Sequence, residues 1–180
     1  MGRINGEDAT MRKTLALLCL LVLSGGIMGQ TGSSDQAARF TFGTTRFLAE
    51  KSIGPQGGRL EILGTGTPLD GMILDIPPNA LERDVAVRIG SNSGSLLLPS
   101  GLPSGMVAVI EFGEAPVLAQ PAAIIIPYDT EKTGGPIQGY AINDQGRLEL
   151  LMLARLDRPG GQATFHTFRP LTMTWVYLEK

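Results

Sequence analysis

The chemistry open to this chain is set first by the side chains it lacks. His166 is its only histidine and Cys19 its only cysteine. A hydroxyl nucleophile needs a positioned base, so any Ser-His-Asp hydrolase would have to work through His166. No G-x-S-x-G elbow is present, and the nearest stretch, Gly101–Gly105 (GLPSG), has the wrong spacing. One His and one Cys also remove most zinc sites and every intrachain disulfide. Calcium could be held by Asp129 and Glu131, or by Asn143 and Asp144 with backbone carbonyls, but no Asp-rich calcium loop occurs. Gly57-Gly58 suggests a phosphate cradle, yet a strand-like run follows instead of the helix whose N-terminus would bind the anion. The chain therefore reads as a non-enzyme with no cofactor, no metal and no catalytic residue.

Composition narrows the partners. The 180 residues carry a formal net charge of −2, which gives no electrostatic reason to expect nucleic acid or an anionic membrane surface. With 43% hydrophobic residues the chain can bury a core, and its length suits one domain. Residues 11–29 (MRKTLALLCLLVLSGGIMG) run from basic to apolar to small, the build of a secretory signal peptide. The apolar part is shorter than the ~20 residues a membrane span needs, so no stable span is expected once it is removed. Cleavage fits best after Gly29, with Gly26 as the alternative. The polar stretch before Met11 suggests that translation starts there. Leu18 precedes Cys19 where a lipoprotein signal needs a small residue, so lipidation is not expected. The protein reads as exported, to the periplasm or the cell surface.

Residues 30–38 (QTGSSDQAA) read as a disordered lead-in to a single domain over 39–180. That domain shows no long helical period. Short β-branched or aromatic runs, each closed by Gly, Pro, Asn or Asp, give about nine or ten strands. They include Arg39–Leu48, Gly58–Leu63, Val85–Ile89, Ala122–Tyr128, Arg147–Arg155 and Leu171–Leu178. In Arg147–Arg155 the apolar set Leu148, Leu150, Met152 and Ala154 is expected to face inward. Gly146 suits a positive φ in the hairpin before it, and Asp157–Gly161 closes the next hairpin. Pro77-Pro78 should stop a strand, with Asn79–Arg83 forming one helical turn capped by Asn79 and with Ala80 and Leu81 plugging the end of the fold. Met173, Trp175 and Tyr177 alternate on the last strand, with Trp175 expected in the core. The predicted fold is an all-β antiparallel sandwich.

Three segments carry a family resemblance: Ile53–Leu60 (IGPQGGRL), Met72–Leu81 (MILDIPPNAL), and Phe112-Gly113 followed by Pro121 and Ala122–Asp129. Together, over about residues 53–178, they resemble the ZU-five β-sandwich domain shared by zonula occludens proteins, netrin receptors and ankyrins, and above all its bacterial exported relatives. The resemblance implies a sandwich that works by protein contact. Some relatives cut their own backbone at a His-Phe-Ser tripeptide. Here His166 is followed by Thr167-Phe168, so self-cleavage is not expected. The motif residues Gly57, Gly58, Pro77, Pro78, Ala80 and Leu81 are assigned folding roles.

The expected function is an exported interaction module that contacts an unknown protein of the cell envelope, through a loop or an exposed sheet edge. Leu96, Leu97 and Leu98, in the Ser/Gly/Pro-rich connection Ser91–Gly105, are the candidate contact residues, either docked back on the sandwich or open to a partner. A carbohydrate-binding module would need exposed aromatics drawn from Tyr128, Tyr140, Trp175 and Tyr177. A hydrolase built on His166 is the third reading.

Overall fold

The computed structural model describes residues 38–98, 106–114, 117–128 and 136–178. The proposed signal, all but the last residue of the lead-in, the connection 99–105 and the pair Asp129 and Glu131 lie outside the described residues. Within them the chain is all-β, with thirteen strands and no helix. In order these are β1 (Arg39–Thr41), β2 (Thr45–Ile53), β3 (Gly58–Glu61), β4 (Ile73–Ile76), β5 (Val85–Asn92), β6 (Ser95–Leu97) and β7 (Ala108–Phe112). There follow β8 (Ala122–Pro127), β9 (Ile137–Ile142), β10 (Leu148–Leu151), β11 (Leu153–Asp157), β12 (Gln162–Thr167) and β13 (Leu171–Tyr177).

Two sheets make the sandwich, one ordered β10-β9-β13-β7-β5-β2 and the other β11-β12-β8-β4-β3. Their strands pair antiparallel throughout. The period-two pattern explains the layers. Val87, Ile89, Ile110 and Phe112 point in from the six-stranded sheet and meet Leu74, Ile124, Ile126 and Phe165 from the five-stranded one. The centre of each sheet is fully apolar on its inner face, as burial there requires. A short ribbon of β1 paired with β6 forms a separate two-stranded piece.

Several expectations need correction. There are thirteen strands because two predicted runs divide and Ser95–Leu97, expected to lie in a connection, forms β6. Arg39–Leu48 breaks into β1 and β2 around Phe42–Thr44, and Arg147–Arg155 breaks into β10 and β11 at Met152. In the second case the two halves join different sheets, so the chain turns a corner from the edge of one sheet to the edge of the other. The inward face is then the opposite of the expected one. Leu151, Leu153 and Leu156 pack on the core, while Leu150 and Met152 are 66% and 80% exposed. The register also shifts between Leu153 and Arg155, which breaks simple alternation. Asn79–Arg83 forms no helical turn. Asn79 takes a left-handed φ of 62°, which a helix cannot use, and sits in a turn closed by Ala80 N–H on Pro77 C=O at 3.2 Å.

The loop between β3 and β4 is held by one carboxylate. Asp70 Oδ1 accepts from Thr65 Oγ1 at 2.6 Å and from Thr65 N–H at 2.8 Å, and Oδ2 accepts from Gly66 N–H at 2.8 Å. The Thr65 hydroxyl, then the backbone N–H groups, hold the Asp70 pKa below the ordinary carboxylate value. A lowered folded-state pKa gives stability that is present above the unfolded value of ~3.9 and lost as pH falls through the folded one. Melting curves of the wild type and Asp70→Asn should therefore lie apart at pH 7 and draw together below about pH 4. A gap between them that persists unchanged at low pH would contradict this role.

Candidate functional site

The three motif segments meet at one end of the sandwich. Gly54-Pro55-Gln56-Gly57 is a tight turn, with Gly57 N–H donating to Gly54 C=O at 2.9 Å and Gly57 at φ 75°. That turn leans on the Ile76-Pro77-Pro78 backbone, and Asn79 N–H donates to Pro55 C=O at 2.7 Å. The connection before β8 joins in, with Ala119 N–H on Ala80 C=O at 3.0 Å and Gln120 Nε2 on Pro78 C=O at 3.0 Å. Ala80 and Leu81 are buried and close this end of the core. Gly58 opens β3 opposite Ile76. Backbone satisfaction and plugging account for all these residues, and none of them presents a reactive group.

An open cleft of about 570 Å³ lies at the same end, between the β9–β10 turn and the β12–β13 connection, with His166, Glu111, Glu149 and Phe168 on its walls. The carboxylates are engaged elsewhere. Glu111 pairs with Arg88 at 2.8 Å, and Glu149 accepts from Asn143 Nδ2 at 2.9 Å. His166 is an exposed residue of β12, set beside Ala123 of β8, and its imidazole hydrogen-bonds to no described residue. The geometry thus assembles no nucleophile–base pair among the described residues. Asn143 uses its Oδ1 to accept the N–H groups of Gln145 and Arg147, each at 3.0 Å, so it builds the turn. No group of three or more metal-ligating side chains occurs among the described residues.

The second surface feature is apolar. Phe40 of β1, Val107 and Ile142 are buried in a small cluster of their own, packed with Leu96 of β6 and Leu148 of β10. Ile142 alternates with the inward Ile137 on β9, so this cluster sits on the outer face of the six-stranded sheet. Leu150 shares the face of Leu148 on β10 but is 66% exposed, and Met152, between β10 and β11, is 80% exposed. Leu96, Leu97 and Leu98 thus divide. Leu96 docks inward on strand β6, Leu97 is 49% exposed, and Leu98 is half-buried. The far side of the same outer face is charged, where Arg88 stacks 4.4 Å over the Phe47 ring while paired to Glu111.

The exposed pair Leu150 and Met152 was hidden from sequence reasoning by the alternation of Leu148, Leu150 and Met152. One signal did point to it. Leu150–Leu153 are four consecutive apolar residues, more than a half-buried strand can hide on one face, and such a run marks a bend or bulge. Compared with known proteins, the sequence matches no protein-family model and no curated protein.

Proposed function

We propose that this chain is an exported, non-enzymatic β-sandwich module, a bacterial relative of the ZU-five domain, that makes a protein–protein contact in the cell envelope. The observation that carries the reading is the pair of exposed apolar side chains Leu150 and Met152, 66% and 80% exposed, where the chain passes from β10 to β11, two and four residues beyond Leu148 of the outer apolar cluster. Exposed apolar side chains gathered at one place mark contact surfaces, whereas isolated ones do not. The family resemblance supports the same job, because the three segments that carry it pack against each other. The carbohydrate reading gains no support from the aromatics, since Trp175 and Tyr128 are buried and Tyr140 and Tyr177 are half-buried.

The test is affinity capture from the source organism's envelope with the chain and with Leu150→Ser/Met152→Ser. Specific partners recovered by the wild type should fall about tenfold with the double variant, the loss expected when a central apolar anchor is removed. The variant should melt like the parent, because both side chains are already solvated. A Leu96, Leu97 and Leu98 to Ser variant run alongside separates this corner from β6. Equal recovery by the wild type and the Leu150/Met152 variant would sink the corner as the contact site.

A further inference from the structure

The loop between β3 and β4 holds a dipeptide that plays no part in the proposed contact. Asp70-Gly71 is the only Asp-Gly pair in the chain. In such a pair the glycine has no Cβ to shield its amide nitrogen, so that nitrogen can close on the neighbouring side-chain carboxyl. The fold fixes both residues. Asp70 Oδ1 accepts from Thr65 Oγ1 at 2.6 Å and Thr65 N–H at 2.8 Å, and Oδ2 accepts from Gly66 N–H at 2.8 Å. Asparagine has one acceptor oxygen and a donor amide, so it could not accept on both sides. Gly71 takes φ 84°, and a Cβ on it would stand 3.1 Å from Pro127 Cγ. The loop therefore retains a reactive pair and has to restrain it.

We propose that Asp70-Gly71 is a site of spontaneous isoaspartate formation, held closed in the folded protein by the hydrogen bonds to the Asp70 carboxylate. In the reaction Gly71 N attacks Asp70 Cγ. The N–Cγ bond forms, and the amide proton and the carboxyl hydroxyl leave together as water. The product is a five-membered succinimide, and water then adds to one of its two carbonyls. Opening at Cγ restores aspartate. Opening at the former backbone carbonyl leaves the chain running through Cβ, with a free α-carboxylate. Water lost equals water regained, so the mass is unchanged and no co-reactant is needed.

Three features oppose the first step. The donors at Thr65 and Gly66 hold both carboxyl oxygens, so Cγ cannot turn freely toward Gly71 N. The attacking nitrogen is itself engaged, because Gly71 N–H donates to Ile62 C=O at 2.8 Å. Hydroxyl departs only from a protonated carboxyl, and the Thr65 hydroxyl and the backbone N–H groups keep Asp70 ionised to lower pH than usual. The bond to Ile62 belongs to a buried frame, with Leu69 and Met72 fully buried and Ile62 N–H donating to Met72 C=O at 2.9 Å. Thr65 is half-buried and Gly66 exposed, so the clamp on the carboxylate opens before that frame does. This chemistry is independent of the proposed contact, since none of the contact residues lies on the loop.

The test ages the full-length chain and Thr65→Val near neutral pH, each folded and in guanidinium chloride. Valine keeps the branched shape and both backbone donors and removes only the hydroxyl. The readout is the tryptic segment Leu60–Arg83, whose isoaspartyl form has the parent mass but separates by chromatography and accepts a methyl group from an isoaspartyl methyltransferase. Fragmentation places the change at residue 70. In denaturant the two chains should react at one rate. The folded wild type should be slower than that by about tenfold or more. Folded Thr65→Val should react about fivefold faster than the folded wild type, within the range for one lost hydrogen bond. No isoaspartate at 70 even in denaturant would overturn the site. Equal rates for the wild type folded and denatured, or for the two folded chains, would overturn the clamp. A folded rate no higher than the denatured rate multiplied by the unfolded fraction would assign the reaction to global unfolding and overturn the clamp equally.

Discussion

Trp175→Ala is expected to cost ~3–5 kcal/mol, the range for a buried aromatic truncated in a core. Trp175 is 3% exposed on β13 and lies opposite Gly139 of β9. The glycine is what lets the two sheets interlock there. A Cβ at 139 would stand 2.5 Å from Cε1 of the fully buried Phe165 ring, which belongs to the facing sheet. Indole, glycine gap and phenyl ring thus fill one space, and neither sheet can close over a hole without losing its own register. The Trp175 Nε1–H also donates to Tyr177 Oη at 3.3 Å, so truncation leaves that hydroxyl without its donor. Total stability for a domain of this kind is about 5–15 kcal/mol, so the loss is a large share of it. Urea unfolding followed by circular dichroism gives the measurement, because the variant has no tryptophan left to fluoresce. The midpoint should fall with an unchanged slope. A cost below about 1 kcal/mol would mean that the core near Phe165 collapses freely, against the close packing of protein interiors.

The parts of this fold legible in the sequence are those governed by local rules. Gly146 sits at φ 73° and Gly161 at φ 61° in the turns where the sequence places them, because a positive φ selects glycine within a few residues. β8 lies at the centre of its sheet, as the unbroken apolar run Ala122–Ile126 implies. What escaped is what depends on distant partners. Alternation shows that Leu148–Ala154 has two faces, but which face is inside is fixed by β9 and β12, far apart in sequence. Splitting the run at Met152 inverted the answer for Leu150, and that inversion exposes the corner on which the functional reading rests. The same limit applies to Leu96–Leu98. Their Ser/Gly/Pro-rich setting reads as a loop, and only pairing with Arg39–Thr41 makes part of it a strand. Asp70 is a middle case, since its spacing to Thr65 permits a clamp that only the folded loop closes.

Gly57→Ala carries the second large expected effect and bears on the meaning of the family-like motif. At φ 75° an alanine costs ~1–2 kcal/mol for the left-handed backbone alone. Its Cβ would also lie 2.5 Å from the Ile76 carbonyl oxygen and 2.7 Å from Pro77 C and Pro78 N. All three are backbone atoms of a rigid Pro-Pro segment, so no side chain can swing aside. The turn must lift away, which breaks the 2.7 Å bond from Asn79 N–H to Pro55 C=O. Overpacking of this kind adds ~1–3 kcal/mol. Gly64→Ala is the matched comparison, because Gly64 has φ 67° and open space where its Cβ would be. It should show the dihedral cost and nothing more, and the difference between the two variants in chemical unfolding isolates the close approach. If both cost the same, the glycine is kept for its φ alone and the contact between the two motif segments holds nothing. If Gly57→Ala costs more, the resemblance marks a point where two connections must touch to close the sandwich, a folding constraint. Partner recovery through Leu150 and Met152 should then survive in whatever fraction of the variant remains folded.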